Sequence, residues 1–562
     1  MSKLDEVLNL AKIKGYFWPS FEIYGGVSGF YTFGPLGTYL QRDIEELWKD
    51  IFVKPFGFIE MDSPDLLPYQ ILKASGHVDN FKDPMAECKK CGAKYRADHL
   101  LKDAGVEVSE GAEPSYIEAL LNQNNVKCPK CGGQEWSVKL YLNMFETNIG
   151  PYAENKGYLR PETAQGIFVE FNSLYNYNRE QLPMGVVQIG KGYRNEISPR
   201  QGLIRLREFH MMELELFIDP QEEDAPDLPN DQKLRLLHEK ARESGEPEEL
   251  TPQEAYQRGI IKTKWLAFFM YLSKKFLNGI GVPDEKQRFF EKIDGERAHY
   301  SAQTFDHEVF LDELGWTEVA GFAYRTDFDL KSHMQATGKE MYATKRKALS
   351  TKTSVVINRE ELMKRENWKE LIELKPEIKS DGVYLGSVRL NDKEYKVIQE
   401  VEKEEVRKFI PHVIEPSFGL DRLTLVALYY AYNKKEGRNI FSLPKGLLKN
   451  LVAVLPLVSK DEFVKKALEV RDTLVKYGFN VIFDDKGYIG KRYARLDESG
   501  VPFAITVDSK TLEDETVTVR DRDSWSQDRI KIRDLPSYLR EKTNWRLYYT
   551  VEPEKARKTK KL

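Results

Sequence analysis

The chain has 562 residues, of which 41% are hydrophobic and 31% charged, and its formal net charge is −4. This composition is typical of a soluble globular protein of roughly three or four domains, without the ~18-residue apolar stretch of a membrane helix or the apolar segment of a secretion signal. We therefore expect a cytoplasmic protein with no membrane partner, which would bind nucleic acid through local patches such as the basic tail at 555–562.

The first informative segment is Pro35–Val53. Its apolar residues recur at helical spacing and predict a helix with one buried face. Gly57–Met61 then predicts a short strand that ends before Pro64. A helix that leads into a strand is common, and this pattern alone indicates no function.

The four cysteines of the chain form two C-x-x-C-G pairs, Cys88 with Cys91 and Cys128 with Cys131. Thiolates at this spacing can bind one metal ion, and the following glycine permits the tight turn of a zinc knuckle. The 36-residue spacer between the pairs contains a predicted helix at Ser115–Asn122. We predict a structural Zn²⁺ site; the alternative is reduced, metal-free thiols.

Residues 184–217 predict two strands, Gly185–Ile197 and Leu203–Phe217, that are joined by a short turn. Strand alternation would gather on one face the residues Arg194, Glu196, Arg205, Arg207, Phe209, Met211 and Glu213. Arginine suits phosphate, an aromatic ring can stack on a base, and glutamate can accept from an exocyclic amine. The face therefore predicts a nucleoside triphosphate site; the alternative is a solvated hairpin with ion pairs between its strands.

Three other segments complete the pattern. The turn RPETAQG, from Arg160, contains Glu162, and the β-like stretch Gly315–Asp329 contains Glu318 and Arg325. In His412–Tyr430 a strand ends near Glu415, and an apolar helix begins near Leu420. Arg422 in its first turn opposes the helix dipole, which a phosphate ligand or the carboxylate of Asp421 would relieve. After Pro444, short apolar strands alternate with amphipathic helices, which predicts a separate α/β domain.

These motifs resemble those of the class II aminoacyl-tRNA synthetases, and specifically the homodimeric glycyl-tRNA synthetases of archaea and eukaryotes. Residues 35–64 resemble motif 1, Gly192–Glu213 motif 2, and Gly419–Arg422 motif 3. The RPETAQG and EPSFGLDR strings are more specific than any class-wide pattern. The resemblance implies an α+β fold, with an antiparallel sheet flanked by helices as the catalytic core and a C-terminal α/β anticodon-binding domain.

The resemblance also implies the reaction and its partners. Glycine and ATP with Mg²⁺ give glycyl-adenylate and pyrophosphate, and glycine then moves to the 3′ end of tRNA(Gly). Arg194 would hold the α-phosphate and Arg422 the γ-phosphate, as the two catalytic side chains. The ATP site would comprise Arg194, Asn195, Glu196, Arg205, Leu206, Phe209, Glu318, Val319 and Arg422. No side-chain general base is expected, because the glycine carboxylate is itself the nucleophile.

Glycine has no side chain, so an enzyme can recognise it only through its ammonium and carboxylate groups. The resemblance implies a glycine site of Arg96, Glu162, Glu213, Arg325, Glu415 and Ser417. Ser417 would crowd the α-carbon and exclude a methyl group. Because larger amino acids are easier to exclude than smaller ones, no editing domain is expected.

The expected organisation is a catalytic core at 1–446, interrupted by a four-cysteine insertion at 82–145, a helical charged insertion at 219–297 and a second charged insertion at 335–410. The anticodon-binding domain would span 447–562, with its basic tail. Two alternatives stay open. One is a synthetase for proline, threonine or histidine, and the other is an inactive paralogue that only binds nucleic acid.

Overall fold

The computed structural model describes residues 2–106, 108, 111–152, 154–199, 202–298 and 300–544, with side chains other than those at 347–351 and 400–404. The basic tail at 555–562 lies outside the described residues. The chain divides into two compact units, residues 1–341 with 411–562 and the inserted unit Tyr342–Ile410. No helix in the described part of the chain is long and apolar enough to cross a membrane.

The α-helices of the described residues are α1 Lys3–Lys14, α2 Pro35–Phe52, α3 Tyr69–Ala74, α4 His77–Asn80, α5 Ala97–Asp103, α6 Pro114–Gln123, α7 Ala164–Val169, α8 Phe171–Tyr177, α9 Pro252–Gln257, α10 Lys264–Gly279, α11 Phe328–Thr337, α12 Arg359–Leu362, α13 Trp368–Leu371, α14 Leu420–Ala431, α15 Asp461–Lys476, α16 Ile489–Glu498, α17 Ser509–Asp514 and α18 Leu535–Lys542.

The strands are β1 Phe17–Pro19, β2 Tyr31–Phe33, β3 Ile59–Glu60, β4 Leu66–Pro68, β5 Lys82–Cys88, β6 Lys94–Arg96, β7 Trp136–Leu142, β8 Glu146–Asn148, β9 Lys156–Leu159, β10 Met184–Tyr193, β11 Glu208–Ile218, β12 Leu234–Leu237, β13 Glu248–Leu250, β14 Gln287–Lys292, β15 Gln303–Leu311, β16 Gly315–Thr326, β17 Ala343–Ile357, β18 Pro376–Lys379, β19 Gly382–Leu385, β20 Val388–Arg389, β21 Tyr395–Phe409, β22 His412–Gly419, β23 Tyr432–Lys435, β24 Arg438–Phe441, β25 Leu451–Pro456, β26 Asn480–Phe483, β27 Phe503–Val507, β28 Thr516–Asp521 and β29 Gln527–Lys531.

The core of the first unit is a sheet in which nine strands of the described chain pair in the order β13-β12-β14-β15-β16-β22-β11-β10-β3. The pairs β10–β3 and β12–β14 are parallel and the other pairs antiparallel. Helices α2, α10 and α14 pack against it, and their contact includes the buried rings of Trp48, Phe52 and Phe418. The predicted α+β core with a flanked, mostly antiparallel sheet is confirmed.

The C-terminal part of the same unit has its own sheet, in which described strands pair in the order β26-β25-β27-β28-β29. The first three strands are parallel, and helices α15 and α16 connect them. Its apolar core includes Val454, Val470 and Ile505. The α/β pattern predicted after Pro444 is confirmed.

The inserted unit Tyr342–Ile410 consists of the long antiparallel pair β17–β21 and a small tip formed by α12, α13 and β18–β20. The tip has its own small core, which includes Leu362, Val383 and Leu390. The charged stretch of the sequence therefore forms a separately packed element.

Three sequence predictions need correction. The first strand of the central hairpin ends at Tyr193 rather than at Ile197, so Arg194 and Glu196 lie beyond the strand. The second strand of the central hairpin begins at Glu208 rather than at Leu203, because residues Gly202–Ile204 form a turn of 3₁₀ helix. Arg205 and Arg207 therefore do not lie on the strand face that alternation predicted. The segment 219–297 contributes β12, β13 and β14 to the large sheet beside its helices α9 and α10, so it is not purely helical.

Candidate active site

The cleft lies on one face of the large sheet, over β11, β16 and β22 and beside the first turn of α14. Most residues that the sequence singled out for ATP and glycine line it. These are Glu162, Arg194, Glu196, Arg205, Leu206, Phe209, Glu213, Glu318, Val319, Glu415, Ser417 and Arg422. Most of these segments are far apart in sequence and meet because they belong to neighbouring strands of the large sheet or lie next to them. Glu162 comes instead from the turn after β9, a strand of the small sheet β4-β9-β8.

Arg194 follows β10 directly, and its backbone N–H donates to the carbonyl of Arg207 across the hairpin at 2.9 Å. The guanidinium lies 5.3 Å from the ring centre of Phe209 and 5.4 Å from that of Phe81. Its Nε donates to the carbonyl of Pro161 at 3.3 Å. These contacts hold the cation at the cleft wall, a position suited to a phosphate.

Glu196 stands beside Arg205, with 3.8 Å between its Oε2 and the arginine Nη1. That oxygen is buried and has no hydrogen-bond partner among the described residues. A buried acceptor without a donor is costly, so this atom is suited to a donor brought by a ligand.

Arg422 lies in the first turn of α14 and donates to the carbonyls of Ile204 and Glu318, both at 2.8 Å. The neighbouring Asp421 is buried and accepts from Gln41 of α2 at 2.7 Å and from the backbone of His210 at 2.9 Å. Asp421 thus ties α14 to α2 and β11, which fixes the direction of Arg422. The sequence indicated Asp421 only as a possible partner for Arg422, since the contact with α2 is not local.

A cluster of acids lies at the deep end of the cleft. Glu213 accepts from the backbone of Thr163 at 2.7 Å, from the Thr163 hydroxyl at 2.5 Å and from the Ser417 hydroxyl at 2.8 Å. Burial would raise the pKa of Glu162, but the nearby His77 and Arg325 hold it below its usual range. Glu162 and Glu213 are therefore suited to attract a cation.

Arg325 is fully buried behind these acids and does not itself line the cleft. It donates to Asp329 at 2.8 Å and to Glu415 at 2.9 Å, and its Nη2 lies 3.5 Å from Glu162. Arg325 is therefore an internal counter-ion for the acid cluster.

Two further residues from the sequence prediction lie outside the cleft lining. Arg96, on β6, is paired with Asp83 at 2.9 Å and Asp98 at 2.6 Å. Asn195 donates its backbone N–H to the carbonyl of Asn143 at 2.8 Å. Both residues therefore have partners outside the cleft lining.

Asp306 was missed by the sequence analysis, and it lines the cleft with Glu318. The pairing of β15 with β16 brings the two carboxylates to the same part of the sheet. Burial and the charge of Glu318 raise the pKa of Asp306 to about 7. Only strand pairing could reveal this pair, because no local motif surrounds Asp306.

The four cysteine sulfurs lie within 4.8 Å of one another, with Cys88 and Cys131 3.6 Å apart and Cys91 and Cys128 3.8 Å apart. None is in a disulfide. Gly92 and Gly132, which follow the second cysteine of each pair, have φ near +67° and +69°, a conformation that glycine permits. The arrangement fits a tetrahedral metal ion.

Residues 147–234 match the tRNA synthetase class II core domain (G, H, P, S and T), and residues 451–542 match the anticodon binding domain. Among curated proteins, the glycine–tRNA ligase of Pyrococcus furiosus is 43% identical over 96% of this chain and 99% of its own length. The glycine–tRNA ligase of Methanocaldococcus jannaschii is 41% identical over 96% and 98%, and that of Aeropyrum pernix is 42% identical over 95% and 96%.

Proposed function

The chain belongs to the glycine–tRNA ligase family of class II aminoacyl-tRNA synthetases, and from that premise we propose how its own residues carry the reaction. The enzyme joins glycine to tRNA(Gly) through glycyl-adenylate, using ATP and Mg²⁺. The observation that carries our assignment is the meeting of Arg194, Arg422 and the acid cluster in a single cleft.

ATP would lie between the two arginines. Phe209 would stack on the adenine. Oε2 of Glu196, which has no hydrogen bond from the described residues, would accept from the adenine amine. Arg194 would hold the α-phosphate, where negative charge develops as the glycine carboxylate attacks. Arg422, on the opposite side, would hold the γ-phosphate, so that pyrophosphate leaves in line with the attack.

Glycine would place its ammonium group among Glu162, Glu213 and Glu415. The Ser417 hydroxyl donates to Glu213 at 2.8 Å, and it would stand over the α-carbon of the bound glycine. A methyl group at that carbon would meet Ser417, which excludes alanine by contact rather than by editing.

Asp306 and Glu318 would hold Mg²⁺, because both are carboxylates that line the cleft, and Arg422 donates to the backbone carbonyl of Glu318. When bound, the ion would neutralise phosphate charge. We also propose a structural Zn²⁺ on Cys88, Cys91, Cys128 and Cys131, which the spacing of the sulfurs and the two glycine turns support.

The anticodon loop would contact the carboxyl edge of the parallel strands β25 and β26. At this edge Tyr488 is 64% exposed, and Lys491 lies 5.2 Å from its ring. Arg492, buried below, donates to the carbonyls of Gly487 at 2.8 Å and Pro456, which joins the loops that follow the two strands. An exposed ring beside lysine is suited to stack on a base of single-stranded RNA.

We propose a homodimer, as the resemblance of residues 35–64 to the class II dimer motif implies. The loop before this motif exposes Phe21, Ile23, Tyr24 and Val27, an apolar group of the kind found at protein interfaces. Light scattering should give twice 65.3 kDa, whereas a monomer at micromolar concentration would contradict the proposal.

Amino-acid-dependent exchange of pyrophosphate into ATP, measured with each of the twenty amino acids, tests the assignment of the cleft. Exchange with glycine alone supports the proposed acid site. Exchange with a larger amino acid would mean that Glu162, Glu213 and Glu415 do not form the specificity site.

A further inference from the structure

Glu215 is a fully buried carboxyl group next to the acid cluster of the cleft. Its side chain is 0% exposed, and neither of its oxygens has a hydrogen-bond partner among the described residues. An ionised carboxylate in such a place is very unfavourable, and the group takes up a proton instead. None of the roles assigned above uses this side chain.

The strand register places Glu215 against Glu415. In the β11–β22 ladder, Glu213 lies opposite Ser417 and Leu216 lies opposite Ile414. The same register sets Glu215 opposite Glu415, where Cβ atoms are typically ~5 Å apart. On its other side Glu215 pairs with Val186, which offers no polar group.

The charges around this pair do not balance. The titratable groups that face it are Glu213 on β11, Arg325 on β16, Asp329 on α11, Glu162 before α7, His77 on α4 and Tyr300. Arg325 is the one arginine among them, against several acids. Burial raises the pKa of Glu415 to about 7, and burial together with the charge of Glu415 raises that of Glu215 well above its usual range.

We propose that Glu215 is a positioning residue that acts through Glu415. In the empty site both carboxyl groups carry a proton; when glycine binds, Glu415 releases its proton to solvent, and Glu215 stays neutral and turns its O–H to the Glu415 carboxylate so formed. This inference rests on the proposed binding of the glycine ammonium group at Glu415. The ammonium group replaces the proton as the positive charge beside Glu415, so the buried charge is conserved. Glycine keeps its own three ammonium hydrogens throughout.

The first test uses the unmodified full-length chain. Calorimetric titration with glycine in two buffers of different ionisation enthalpy, at a pH of about 6.5, counts the protons that binding releases. We expect release of up to about one proton per site. Binding of glycine with no proton release would overturn the inference.

The second test follows the pH dependence of glycine-dependent pyrophosphate exchange. Because one proton competes with glycine, the KM for glycine should rise about tenfold for each unit that the pH falls below the apparent pKa of the pair. The KM for ATP should change far less. Glu215→Gln, neutral and still a donor, should keep this profile. Glu215→Leu, which lacks the donor, should move the acid limb to higher pH.

The outcomes separate this inference from the assignment on which it rests. Equal damage by Glu215→Gln and Glu215→Leu would mean that Glu215 acts as a charge. A loss of stability in Glu215→Leu with an unchanged pH profile would mean that it only packs. If Glu415→Gln left glycine-dependent pyrophosphate exchange unchanged, the proposed binding of the glycine ammonium group at Glu415 would itself be wrong.

Discussion

Gly192 and Phe209 lie opposite each other in the hairpin of β10 and β11, and the ring of Phe209 occupies the space that a side chain at 192 would need. A Cβ at Gly192 would come within 2.7 Å of the ring and 2.9 Å of the Met211 sulfur. Because residue 192 has no side chain, the Phe209 ring can lie in the position where we propose that it stacks on adenine.

Gly192→Ala should raise the KM for ATP more than the KM for glycine, because the added methyl group displaces the Phe209 ring. Loss of a good stack is worth ~1–3 kcal/mol, so an increase of about tenfold is expected. Pyrophosphate exchange at varied ATP measures it. Phe209→Leu is the matched variant, and equal effects of Gly192→Ala on both KM values would contradict the assignment.

Arg194→Ala should lower the rate of glycine activation about a hundredfold or more, because it removes a cation from the developing charge on the α-phosphate. Single-turnover formation of glycyl-adenylate is the direct measurement. Lys191→Ala, in the preceding strand but outside the cleft lining, should leave the rate nearly unchanged. An unaltered rate in Arg194→Ala would remove Arg194 from the mechanism.

Protein purified without chelator should contain about one zinc ion per chain, bound by thiolates in a tetrahedron. Cys131→Ser should lower the zinc content and destabilise the insertion, because the packed residues around the knuckles include Cys88 and Cys128. Metal analysis and thermal unfolding check both points. A metal-free protein of full stability would disprove the zinc site.

The raised pKa of the buried Asp43 carboxyl group predicts that the stability of the protein depends on pH. Burial raises its folded-state pKa to about 7 from 3.8, so the folded state binds the extra proton between these values and loses stability as pH rises through that window. Asp43→Asn should therefore stabilise the protein more at a pH of about 8 than at a pH of about 5, by on the order of 1 kcal/mol. Unfolding temperatures at both pH values test this, and equal shifts would count against it.

Tyr488→Ala should raise the KM for tRNA(Gly) in aminoacylation roughly tenfold, because a base loses its stacking partner. Glycine activation without tRNA should stay unchanged. Tyr477→Ala is the control, since Tyr477 is 51% exposed in the same domain but lies near the start of β26, at the opposite edge. Equal effects of the two variants would argue against the proposed anticodon edge.

Much of this protein could be predicted from local patterns. Helix α2 follows the apolar spacing after Pro35, and the two cysteine pairs come together as their C-x-x-C-G spacing predicts. Many of the residues that line the cleft stand in three short strings around Glu162, Arg194 and Glu415. These features are encoded locally, since helical periodicity, turn glycines and ligand spacing depend on near neighbours in the chain.

The tertiary structure decided what depends on strand register and on distant partners. Strand β11 begins at Glu208, because the preceding residues turn toward the first turn of α14 rather than extend the sheet. The nearness of Asp306 to Glu318 and of Glu215 to Glu415 follows from the pairing of separate strands. Register depends on how whole strands bury their faces, so it is a cooperative property that no single segment contains. It determines which carboxyl groups lie together in the interior, and therefore which of them can be ionised.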